Sequence, residues 1–135
     1  MGFNPRLHPY SQSWSFDGDP AADATFNIFR FPAQGKVLAV YACNDAAIAT
    51  VTNTLAINLV SRGTSGTATA ATIAAFAATS TWAADVPRTG TLTAANQRIT
   101  TSGTWLACHY DETGTGTWTR LTLQIDYIVG AYEDS

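Results

Sequence analysis

Near its carboxyl end the chain alternates without a break. Leu121, Leu123, Ile125, Tyr127 and Val129 are apolar, while Arg120, Thr122, Gln124 and Asp126 between them are polar. Successive side chains on a strand point to opposite faces, so a period of two places one row in a core and the other in water or against a partner. Each buried Leu, Ile or Val contributes about 1.5–3 kcal/mol relative to exposure, so this row alone supplies a large part of a core. A chain with such a row is committed to β-layers. Read from residue 114 to 130, the strand is well beyond the common length of about 5–6 residues.

Composition agrees with that commitment. Only 13% of residues are charged, against a usual share of about 25%, and Thr, Ala, Gly and Ser fill the gap. Thr is β-branched and suits a pleated surface, whereas a helical surface draws on Glu, Lys and Arg. A chain of 135 residues is one domain with a single core. Net charge is −3, and Lys36 is the one lysine beside six arginines. No basic stripe exists to neutralise a phosphate backbone, which argues against nucleic acid as a partner. A surface so poor in charge is typically a covered one. The start, Met1 to Arg6, carries no apolar run, so neither a secretory signal nor a membrane span is expected. Cys43 and Cys108 are too few for a disulfide framework, and both sit inside apolar strand patterns, so buried free thiols are expected.

Residues 1–22 read as an extended arm ahead of a sandwich domain at 23–135. Pro5, Pro9, Pro20 and the turn sequence Asp17-Gly18-Asp19-Pro20 accompany four aromatics, Phe3, Tyr10, Trp14 and Phe16. Aromatics are scarce in disordered tails, so the arm is expected to pack, either on its own domain or on a neighbour, with equal weight. Strands are predicted over 23–31, over 36–44 (apolar on both faces, hence central and covered on each side), and over 53–60. After a loop at 61–66, residues 67–78 read as a strand. Ala favours a helix there, but the Thr residues and the lack of a charged face oppose one. A surface loop anchored by Trp82 follows over 74–84, then at most two short strands in 91–103, then a strand over 104–110 with Trp105 expected in the core. Seven or eight strands with recurring turn signals predict an all-β, single antiparallel β-sandwich. A jelly roll is preferred, with an immunoglobulin-like order as runner-up.

No catalytic set emerges, which argues against an enzyme. His8 and His109 lie in different kinds of segment, and Cys108 and His109, being adjacent on a strand, face opposite ways and cannot share a metal. Asp17-Gly18-Asp19 and Asp111-Glu112 lack the further acidic positions of a calcium loop. Gly63-Thr64-Ser65-Gly66 and Gly114-Thr115-Gly116 lack the Lys-Ser/Thr of a phosphate loop. Neither a cofactor nor a metal is therefore expected. The tryptophans remain, as sugar platforms or interface anchors. Trp118 falls on the polar row of the last strand, where it would be exposed.

Three stretches carry a resemblance: Thr25-Phe26-Asn27-Ile28-Phe29-Arg30-Phe31-Pro32-Ala33-Gln34-Gly35-Lys36-Val37, Thr54-Leu55-Ala56-Ile57-Asn58-Leu59-Val60 leading into Gly63-Thr64-Ser65-Gly66-Thr67, and the closing strand after Gly114-Thr115-Gly116. Over about 25–130 the chain resembles the decoration, or cement, proteins on the heads of tailed bacteriophages. That resemblance implies a small β-sandwich, often a homotrimer, made in the host cytoplasm and sitting on the outside of the virion. There it would clamp neighbouring subunits of the major capsid protein, with neither nucleic acid nor membrane as partner. On this reading Phe3, Tyr10, Trp14, Phe16 and Trp118 are the contact residues, and Trp14 and Phe16 are expected to be removable without harm to the fold. The alternative is a carbohydrate- or receptor-binding module with Trp82 and Trp118 as platform.

Overall fold

A computed structural model describes residues 9–17, 23–45, 54–79, 83–113 and 120–130. Ten strands follow in chain order: β1 (Tyr10–Asp17), β2 (Asp23–Arg30), β3 (Gly35–Asn44), β4 (Thr54–Ser61), β5 (Ala71–Thr79), β6 (Arg88–Thr89), β7 (Thr91–Leu92), β8 (Arg98–Ile99), β9 (Trp105–Thr113) and β10 (Arg120–Val129), with one 3₁₀ turn at Ala94–Asn96. The first sheet has the order β1-β10-β3-β6, with β8 also on β3, and the second has the order β2-β9-β4-β5-β7. Every pairing is antiparallel. This is the all-β sandwich that the alternation predicts. Its strand count exceeds the expected seven or eight because β6, β7 and β8 are two residues each, too short to show a period.

β10 lies between β1 and β3. Leu121, Leu123 and Ile125 are fully buried, and Tyr127 nearly so. Residues 114–119, the expected first part of this strand and the site of Trp118, lie outside the described residues. Between Asp126 and Tyr127 the register against β3 slips, so that Ala39 and Val37 are consecutive partners. The skipped residue, Leu38, is left 37% exposed, as the extra residue of a bulge is. β3 is central, but among the described residues only one of its faces lies in the core. Val37, Val40 and Ala42 face the core, while Ala39, Tyr41 and Cys43 on the other face are half-buried.

Segment 67–78 resolves as predicted toward strand, but with shifted bounds. β5 starts at Ala71 and runs on to Thr79, past the point where a surface loop was expected. Trp82 lies outside the described residues. Trp105 is corrected from the core to the opposite face of β9. Leu106, Cys108 and Tyr110 take the core row, and strand alternation turns Trp105, Ala107 and His109 outward. The loop after β4 then closes over that outer face. Arg62 N–H donates to the Trp105 carbonyl and Trp105 N–H to the Gly63 carbonyl, both at 2.9 Å, and Asn27 Nδ2 donates to the Gly66 carbonyl at 3.2 Å. Gly66 has φ +74, and a Cβ there would come within 2.7 Å of Asn27 Nδ2. The turn therefore needs glycine on both counts.

The core joins both sheets: Val37, Val40, Leu121, Leu123 and Ile125 from the first meet Ile57, Leu59, Ile73, Phe76, Leu106 and Tyr110 from the second. The chain switches sheets at buried Gly90, between β6 and β7, where an added Cβ would meet the Phe76 ring at 3.0 Å and Ala74 Cβ at 3.3 Å. At the other end of the sandwich Phe31, just past β2, donates its N–H to the Thr104 carbonyl at 2.8 Å and accepts from Gly103 N–H at 2.9 Å. Its ring then lies 0% exposed between the layers.

Candidate interface on the first sheet

Residues 10–17 of the segment read as an arm form β1, paired with β10 along eight consecutive positions from Tyr10↔Tyr127 to Asp17↔Arg120. Its even positions point inward. Trp14 and Phe16 are half-buried and packed on the core, and each reaches across to β2 in the other sheet. Trp14 meets Phe29 with ring centroids 5.5 Å apart, and Phe16 meets Phe26 edge-on at 4.7 Å. Tyr10, 52% exposed, stacks on Tyr127 at 5.8 Å, and Tyr127 Oη donates to Gln12 Oε1 at 3.1 Å. Burial, then the neighbouring Tyr10, pushes the Tyr127 hydroxyl pKa up, so it stays a donor.

Of the five expected contact residues, the structure brings together three on one strand, and only Tyr10 presents most of its side chain to solvent. Phe3 and Trp118 lie outside the described residues. The expectation that Trp14 is dispensable for the fold is revised by its packing. Trp14→Ala is expected to cost about 2 kcal/mol, roughly half of what a fully buried aromatic loses. Urea unfolding followed by circular dichroism checks this, and an unchanged midpoint would contradict it.

The odd positions of β1 start a surface that sequence reasoning missed. Residues directly opposite in an antiparallel pair share a face, so the registers on both sides of β10 define three outer rows: Ser11-Asp126-Ala39, Ser13-Gln124-Tyr41 and Ser15-Thr122-Cys43. Nine positions carry one charge. Ser11 Oγ donates to Asp126 Oδ1, Gln124 Nε2 donates to the same oxygen at 3.2 Å, and Ser15 and Thr122 hydroxyls bond at 3.1 Å. The side-chain bonds run within two rows and between the rows of Gln124 and Asp126, across a hydroxyl-rich patch with one charge.

At one corner of this face a cleft of about 300 Å³ is lined by Cys43, Asn44, Asp45, Asp85, Arg120 and Thr122. Asp45 and Arg120 are locked together through the backbone. Arg120 N–H donates to Asp45 Oδ1 at 2.8 Å, and Asp45 N–H donates to the Arg120 carbonyl at 3.1 Å. Burial, then the charge of Asp85, raises the Cys43 pKa, so the thiol is kept protonated rather than made a nucleophile. Cys108, on the core row, is pushed by burial to about 12. A disulfide reagent is therefore expected to modify at most Cys43 in the folded protein, and Cys108 only after denaturation. Two equivalents titrated under native conditions would contradict this. His109, on the opposite face from Cys108, has Nδ1 2.7 Å from Thr25 Oγ1. Among the described residues no three His, Cys, Asp or Glu side chains converge as a metal site.

No protein-family model matches the sequence, and no curated protein matches it. Two chains of solved structures match this one. One, from the structure of infectious bursal disease virus Gx strain, is 14% identical with a TM-score of 0.47 and is covered over 38% of its length by 98% of this chain. The other, from the Gt strain of that virus, is 12% identical with a TM-score of 0.32, with 98% of this chain covering 42% of it. This chain spans less than half of either.

Proposed function

We propose that this chain is a structural virion protein that lies on the outside of a tailed-phage capsid and stabilises it by bridging neighbouring major capsid subunits. One observation carries the reading. The middle of the outer face of the first sheet, from Ser11, Ser13 and Ser15 across to Ala39, Tyr41 and Cys43, holds a single charge in nine positions, with Arg120 and Lys36 at its two ends. Such a face loses little on being covered, because it has few ions to desolvate and many hydroxyls to pair. The strand order also supports a jelly roll: first and last strands are neighbours in one sheet, second and second-last in the other, as in a long hairpin wound around a barrel. Tyr10, on the inner row of β1, stays a proposed contact apart from this face, with Phe3 and Trp118 as further proposed contacts. Trp14 and Phe16 would serve by fixing β1. Many weak copies acting through linked contacts then make release rare.

Co-sedimentation with mature shells tests this. Saturable binding is expected, weakened at least about tenfold by Thr122→Lys with Gln124→Lys, which place two charges on the face. Absence of sedimentation would overturn the role, and unaltered binding of the double variant would overturn the face. A second reading, a glycan-binding module, is favoured by Tyr41 lying between Ala39 and Cys43 with Gln124 directly opposite, a ring flanked by a hydrogen-bonding side chain. Binding on a glycan array lost with Tyr41→Ala would favour it.

A further inference from the structure

Among the described residues β1 is an edge strand of unusual kind. The other edges among the described residues are either two residues long (β6, β7 and β8) or interrupted, since β2 slips register between Asn27 and Phe29. β1 runs eight residues without a slip, no Lys, Pro or Gly lies within it, and its one charged residue is Asp17 at its end. Natural sheets normally blunt such an edge with charge, proline, a bulge or a cover, because its free N–H and C=O groups template pairing with another chain.

The serines and the aromatic ends of β1 are placed symmetrically about Ser13. About Ser13, Gln12 stands opposite Trp14 in position, Ser11 opposite Ser15, and Tyr10 opposite Phe16. A two-fold axis normal to a sheet pairs equivalent edges antiparallel with residue i facing residue 26 − i, and it keeps each side chain on its own face. Here it would set serine against serine in the outer row, with no like charges opposed, and would bring the exposed ring of Tyr10 beside the partner's Phe16 in the inner row. Self-complementarity under a two-fold is what an isologous interface requires.

We infer that β1 pairs with β1 of a second copy, joining the two first sheets into one continuous sheet and extending the charge-poor face across the dimer. This goes beyond the reading above and does not depend on the shell. It replaces the three-fold assembly implied by the resemblance with a two-fold one.

Sedimentation velocity on the full chain, without shells, tests it over a concentration series. Wild type is expected to be a dimer. Ser11 and Ser15 are exposed, so charges there leave the core untouched, and a thermal melt confirms that each variant is folded. S11K/S15K opposes like charges twice across the axis and is expected to weaken the dimer by about tenfold or more, less so in high salt. S11K/S15E opposes unlike charges twice and is expected to keep the dimer or tighten it. A wild type that is monomeric at every concentration, a trimer, or equal behaviour of the two variants would overturn the inference.

Discussion

Deletion of residues 1–17 is expected to abolish cooperative folding. β1 pairs with β10 along its whole length, and Trp14 and Phe16 close the gap between the sheets against Phe29 and Phe26. Without β1 the inner row of β10 loses the cover beside Leu121, Leu123 and Ile125, and β10 itself becomes an open edge. A domain of this size has a total stability of about 5–15 kcal/mol. An eight-residue ladder and two half-buried aromatics are a large share of that. The truncated chain should show no cooperative thermal transition and little near-ultraviolet circular dichroism, and a synthetic peptide of residues 9–17 should restore part of both. A truncation melting near the full-length temperature would contradict this placement of β1. The result also governs how binding assays are read, because loss of attachment on truncation would report unfolding, not a missing arm.

Phe31→Ala should give the largest loss of any single truncation of an aromatic, about 3–5 kcal/mol. Phe31 is 0% exposed and its ring lies between Phe29 at 5.6 Å and Tyr127 at 5.4 Å, which are themselves 5.3 Å apart. The cavity would open beside Gly35, whose missing side chain leaves room for the Phe31 ring. A Cβ there would come within 2.5 Å of Cε1 and would also strike the Ile128 carbonyl oxygen. Backbone at that glycine is paired to Val129, so the site cannot collapse without moving the β3–β10 ladder. Denaturant midpoints of wild type, Phe31→Leu and Phe31→Ala should fall in that order. Equal midpoints for wild type and Phe31→Ala would contradict the packing.

Much of the fold was legible where a strand carries its own period. Leu121, Leu123, Ile125 and Tyr127 announced β10, and the paired apolar rows of 36–44 announced β3. β1 had the same signal, since Tyr10, Gln12, Trp14 and Phe16 occupy even positions and Ser11, Ser13 and Ser15 odd ones. Phe3 and the flanking Pro5, Pro9 and Pro20 break the alternation on either side, so over 1–22 as a whole it has no period. The charge-poor face was not legible at all. It depends on which strands lie side by side, and Ser11 and Asp126 are 115 residues apart. Trp105 went astray for a related reason: alternation fixes which residues share a face, but not that the loop at 62–70 would roof the outer one.

The proposed role is tested most directly by electron cryomicroscopy of mature shells incubated with saturating protein. The proposal predicts added density for a two-sheet sandwich on the outer surface, at fixed positions spanning neighbouring capsid subunits, with the face of Ser13, Gln124 and Tyr41 toward the shell. A bare shell, or density confined to a site that touches one subunit only, would contradict it.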